Sequence, residues 1–166
     1  MRVWDFTMPR RHLTLTLSNQ SEVFDLKYCD LYMKEGAPED PLIKPQDLPH
    51  GKDATLEFSN SPNPNLGITG ILTYRYGETD SGFAISFLVP VYHQNIPEIP
   101  IFCLQFLPTL QKPILNPDIL KHPNADLYSD MIRHPVHSAG GSGFHVTGSS
   151  MTPVPDSRLT VTLTDA

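Results

Sequence analysis

Seven histidines in a chain of 166 residues are the first side chains that invite chemistry. His122, His134, His137 and His145 lie close together in sequence, and neutral imidazole is a good zinc ligand. Pro135 separates His134 from His137, however, no helix presents the pair on one face, and no neighbouring cysteine or acid completes four ligands. The pattern predicts solvated loop histidines, with no metal and no cofactor. Gly140-Gly141-Ser142-Gly143 has the composition of a phosphate cradle, but such loops open a helix whose N-terminus faces the anion. Here a strand follows, so a flexible turn is expected. The same serine lacks the G-x-S-x-G spacing. Neither Cys29 nor Cys103 stands in a catalytic motif. No catalytic residue is expected, and the chain is not read as an enzyme.

Aromatic side chains say more. Tyr74, Tyr76, Tyr92 and Tyr128, with Phe83 and Phe87, fall in or beside strand-like segments. Amphipathic rings in such places hold a sugar or a choline headgroup by stacking or cation–π contact, or simply pack in a core. Asn19-Gln20-Ser21 is a glycosylation sequon whose plainer reading is a polar turn. Arg10-Arg11 is expected to be a solvated pair rather than a membrane anchor, because two charges contribute only about 2 kcal/mol at an anionic surface.

The elements that must position these groups are mostly strands. From His12 the run His-Leu-Thr-Leu-Thr-Leu-Ser alternates with period two, placing Leu13, Leu15 and Leu17 on one face. Val23 to Met33 follows neither period cleanly and fits a strand with a bulge or a short helix, of which the strand is favoured. Glu35 to Lys52, with four prolines, is an irregular connection, and Thr55 to Phe58 a short strand. Ile68 to Tyr76 and Phe83 to Val91 form an antiparallel hairpin. Both are apolar on two faces near their middles, which implies burial between layers. Ile101 to Leu107 is a central strand. Asn116 to His134 has helical spacing cut by Pro123, giving one or two short helices. Phe144 to Ser150 and Arg158 to Thr164 close the fold as strands, which together point to a β-sandwich or barrel.

Composition agrees. The length suits one domain, residues 1–166, with 1–11 as a flexible N-terminal segment. Seventeen prolines disfavour long helices. A net charge of −6 has the wrong sign for gripping phosphate backbones, which excludes nucleic acid as the expected partner. No apolar run reaches membrane-span length and no signal peptide is visible, so the chain reads as cytoplasmic or released without one. One disulfide between the two cysteines is open, although two buried thiols fit such a compartment better.

Taken in order, four segments resemble the actinoporins and, more broadly, the cytolysin/lectin sandwich shared with fungal fruit-body lectins. They are Thr69-Gly70-Ile71-Leu72, Ser81 to Pro90, Asp126-Leu127-Tyr128, and Gly148-Ser149-Ser150-Met151-Thr152. The resemblance runs with gaps from about His12 to Thr164 and implies an all-β, actinoporin-like β-sandwich with one or two short helices. In that family a pocket of serines, a proline and tyrosines binds sphingomyelin headgroups, and an N-terminal amphipathic helix makes a pore. Pro90 and Tyr128 match the pocket, and Leu72 stands for a valine. Glu35 and Leu88 stand for serines, Asn124 and Ser129 for tyrosines, and the loop after Pro90 keeps Tyr92 without a tryptophan. The implied binding residues are thus Glu35, Leu72, Pro90, Tyr92 and Tyr128. Only eleven residues precede the first strand. Fully helical they would span about 16 Å, half a bilayer's hydrocarbon core, so pore formation by this route is not expected. The lectins start directly with a strand and share an aromatic-cysteine pair like Phe102-Cys103, but Leu104, Gln105 and Phe106 replace the polar residues that follow it.

The expected function is a binding module for membrane lipid headgroups or glycans, peripheral at membranes if it takes lipid. The alternative is a protein-binding or self-assembling sandwich without a small ligand. A homo-oligomer is compatible with either.

Overall fold

The computed structural model describes residues 10–60, 66–90, 99–110, 122–141, 143–153 and 156–166. Ten strands and one helix follow in chain order among them: β1 (His12–Asn19), β2 (Leu26–Glu35), β3 (Ala37–Pro38), β4 (Asp53–Ser59), β5 (Ile68–Tyr76), β6 (Gly82–Val89), β7 (Ile101–Leu107), α1 (Asn124–Arg133), β8 (Ser138–Gly141), β9 (Phe144–Gly148) and β10 (Asp156–Asp165). One sheet has the order β3-β4-β1-β10-β9-β8 and the other β2-β5-β6-β7. The first and last long strands, β1 and β10, lie side by side and parallel, with Leu15 opposite Leu159 and Leu17 opposite Val161.

The core follows from alternation. Leu13, Leu15 and Leu17 are buried on one face of β1, as are Leu159, Val161 and Leu163 on β10, while the threonines between them face out. They meet Leu72, Tyr74, Tyr76, Phe83, Ile85 and Phe87 of the four-stranded sheet. That sheet is buried on its other face too. A second apolar cluster there joins Ile71, Ala84 and Cys103 to Tyr128 and Met131 of α1. The double burial expected for the central hairpin therefore has two causes, the opposite sheet on one side and the helix on the other. Tyr74, Tyr76, Phe83 and Phe87 are core residues, at most 1% exposed, and present no surface to a ligand.

Several expectations are corrected in detail. Gly140 and Gly141 are not a flexible turn but the end of β8, paired with His145 and Phe144 of β9. The turn is made at Gly143, whose φ of 86° suits glycine. Pro123 stands at the N-cap of α1, where a missing N–H costs nothing, so a short helix starts at the point where the proline was expected to interrupt the spacing. Residues 116–121 lie outside the described residues. The irregular connection after β2 contains the short strand β3, and Leu48 bridges back to Leu26. The two cysteines occupy β2 and β7, the outer strands of the four, which puts them about 14 Å apart at ordinary strand spacing and rules out a mutual disulfide. Arg10 and Arg11 are not a solvated pair: Arg10 bonds Glu39 at 2.6 Å, and Arg11 is 2% exposed. Asn19 ends β1 with its amide donating to the carbonyls of Phe24 and Leu48, a buried structural role for the sequon asparagine.

Candidate functional site

Strand β2 is irregular where the site begins. Met33 pairs with Gly70 and Glu35 with Thr69, so Lys34 is an extra residue in a β-bulge. In a regular strand Lys34 and Glu35 would point to opposite faces. The bulge brings both to the helix-covered face: the Lys34 ammonium lies 5.9 Å from the centre of the Tyr128 ring, and the Glu35 carboxylate is near enough to act on the Tyr128 phenol. Immediately after, Gly36 has φ of 80°, and a Cβ there would come within 2.8 Å of the Ser59 carbonyl oxygen. Glycine is what lets the chain turn from this site into β3.

Tyr128 reaches the site from α1 and is 5% exposed. Burial is the main reason its pKa is pushed up to about 12; Thr69 opposes the rise and the Glu35 charge adds to it. The phenol therefore remains a proton donor over the whole physiological range. Beside it, the Thr69 hydroxyl is buried and makes no hydrogen bond of good geometry. It faces the phenol, whose pKa it holds down, and is itself shielded from solvent.

A single rank of residues crosses the sheet here: Glu35 opposite Thr69, Thr69 opposite Leu88, Leu88 opposite Ile101. At ordinary strand spacing it runs about 14 Å. Pro90 follows the end of β6 at this same end, partly exposed. Beyond Ile101 lies an apolar groove of about 380 Å³ walled by Ile99, Pro100, Phe102 and Met151. Ile99 is 66% exposed at its edge.

A polar clamp seats the helix that carries Tyr128. The Asp30 carboxylate accepts a hydrogen bond from the Asn124 side chain at 3.0 Å and lies 3.2 Å from His122 Nε2. The Asn124 N–H donates to His122 Nδ1, which assigns the remaining ring proton to Nε2, facing Asp30. Tyr32 stacks on the imidazole with ring centres 4.6 Å apart. This engages His122, while His137 stacks on Phe102; among the described residues no three metal-ligating side chains converge.

Of the five residues singled out in the sequence, the structure brings Glu35 and Tyr128 together and leaves Pro90 at the same end of the sheet. Leu72 is displaced: it is fully buried on the opposite face, inside the sandwich, and cannot touch a surface ligand. Tyr92 lies outside the described residues. Lys34 and Thr69 were missed. Neither stands in a motif, and only the bulge and the strand register bring them to the phenol.

No protein-family model matches the chain, and no curated protein matches its sequence. Solved structures do share its architecture. The lipid binding protein Nakanori superposes with a TM-score of 0.68 at 7% identity, over 92% of this chain and 70% of the other. RahU protein, solved in complex with a TRIS molecule, gives 0.59 at 10% identity over 94% and 96%. At such identities the likeness establishes the fold alone, and that fold is the actinoporin-like β-sandwich, mostly β, with two sheets and one short helix among the described residues.

Proposed function

We propose that the protein is a binding module for membrane lipid headgroups, using the face of the four-stranded sheet at the N-terminal end of β5. One observation carries the reading. The rank from Glu35 to Ile101 sets charged and hydroxylic side chains beside Tyr128 about 14 Å across the sheet from Ile101, which follows the exposed apolar edge at Ile99. A membrane surface offers that same pairing, polar headgroups over an apolar interior, and partly buried apolar side chains add interfacial affinity. A soluble glycan would leave the Ile99 edge in water. That a similarly folded protein is described as lipid binding supports the same assignment. Among the described residues no helix is long and apolar enough to cross a bilayer.

The test is an Ile99→Glu variant in vesicle co-sedimentation. Ile99 is exposed, so the melting temperature should stay within a degree or two of the parent. Retention on phospholipid vesicles should fall about tenfold, as expected for exchanging roughly 1.4 kcal/mol of apolar contact for a desolvated charge. Unchanged retention would remove Ile99 and its groove from the binding face.

A further inference from the structure

The charges at the site argue for more than a headgroup in general. We infer that the site selects a zwitterionic headgroup whose cation is a primary ammonium, a phosphodiester joined to an aminoethyl group, over one whose cation is quaternary. This rests on the headgroup reading above and narrows it.

A quaternary ammonium cannot donate a hydrogen bond and is held by aromatic faces surrounding it. Among the described residues Tyr128 brings one ring to the site, and the Lys34 ammonium already lies over it at 5.9 Å. A trimethylammonium group at that face would meet a like charge. What the site offers instead is a carboxylate, Glu35, brought to this face by the bulge and set opposite Thr69, near enough to act on the phenol. A primary ammonium carries three donors, and its charge-assisted bonds to carboxylate are roughly twice as strong as neutral ones. Lys34, which is exposed, is then available to the phosphate, with the Tyr128 hydroxyl as a neutral donor to its oxygens.

The bulge makes the arrangement specific. Because Lys34 is the unopposed residue of β2, the sequence-adjacent lysine and glutamate both serve one face, which places opposite charges next to one another. Two opposed charges match a zwitterion better than a net anion. A chain of net charge −6 is also repelled by anionic surfaces, so phosphatidic acid is a poor competitor.

Vesicles of phosphatidylcholine alone, phosphatidylcholine with phosphatidylethanolamine, and phosphatidylcholine with phosphatidic acid discriminate these cases by co-sedimentation. Soluble phosphoethanolamine is added as a competitor. The expected result is at least tenfold stronger retention with phosphatidylethanolamine than with either other composition. Glu35→Gln should abolish that preference without changing the melting temperature, and Lys34→Ala should weaken binding to every phosphatidylethanolamine mixture. Competition by millimolar phosphoethanolamine would show that the headgroup alone is read; its failure, with the preference intact, would place recognition on the membrane-borne lipid. Equal or stronger binding to phosphatidylcholine alone, or strongest binding to phosphatidic acid, overturns the selection while leaving the headgroup reading in place. No binding to any vesicle overturns both.

Discussion

Replacing Phe58 with alanine is expected to destabilise the fold by about 3–5 kcal/mol, a large part of the 5–15 kcal/mol typical of a domain. Phe58 is 1% exposed on β4 of the six-stranded sheet. Its ring centre lies 5.2 Å from that of Phe87 on β6, so the pair joins the two sheets inside the core. Truncation removes a ring whose partners are held by strands on both sides and cannot close the gap. Denaturant unfolding reads the change as a lower midpoint at constant slope. A loss under about 1 kcal/mol would mean that this part of the core collapses around the gap, as happens at loosely packed sites.

The second large effect is on binding. Tyr128→Phe is expected to weaken vesicle binding about tenfold while leaving stability almost unchanged. Thr69 acts on the phenol, but its Oγ1 makes no hydrogen bond of good geometry, so removing the phenol oxygen costs the fold little. The ring, packed with Ile71 and Met131, is retained. What is lost is a donor to a charged headgroup oxygen, worth about 1.5–3 kcal/mol, which is tenfold or more in affinity. Tyr128→Ala would be a poorer test, because a side chain only 5% exposed also holds α1 to the sheet, and loss of binding would then be confounded with loss of fold. An unaltered affinity for Tyr128→Phe, measured at an unchanged melting temperature, would show that the hydroxyl does not meet the ligand.

Much of the fold could be read from alternation alone. In β1 and β10 the leucines and valine repeat every second residue with threonines between, and the burial of the two strands follows that pattern residue by residue. Where both faces of a strand are covered the pattern has no phase. Ile71 and Leu72 are adjacent and both fully buried, one beneath α1 and the other between the sheets. Sequence spacing could not say which faced the helix, and the resemblance that puts Leu72 in the pocket does not carry the facing either. Gly140 and Gly141 misled for the opposite reason. Glycine suggests a turn wherever loop conformations are available, but here small residues are needed because a Cβ at Gly141 would overlap the Phe144 ring. At the site itself the residues found by resemblance, Glu35 and Tyr128, are joined by two that no motif announces. Lys34 reaches the phenol only because a bulge suspends the period-two rule, and Thr69 matters because its register opposes Glu35.

The account stands on one surface, the face bearing Lys34, Glu35, Thr69, Leu88 and Tyr128. The most direct test is amide chemical-shift mapping of isotope-labelled protein titrated with lipid nanodiscs containing phosphatidylethanolamine. The account predicts that saturable shifts and broadening centre on residues 34–35, 69–70 and 88–90 and on the first two turns of α1, and extend to Ile99 and Ile101. Shifts centred on the threonine-rich outer face of the six-stranded sheet, or on a second cleft lined by Ile43, Pro45, Leu56 and Phe58, with the Tyr128 face unchanged, would contradict it.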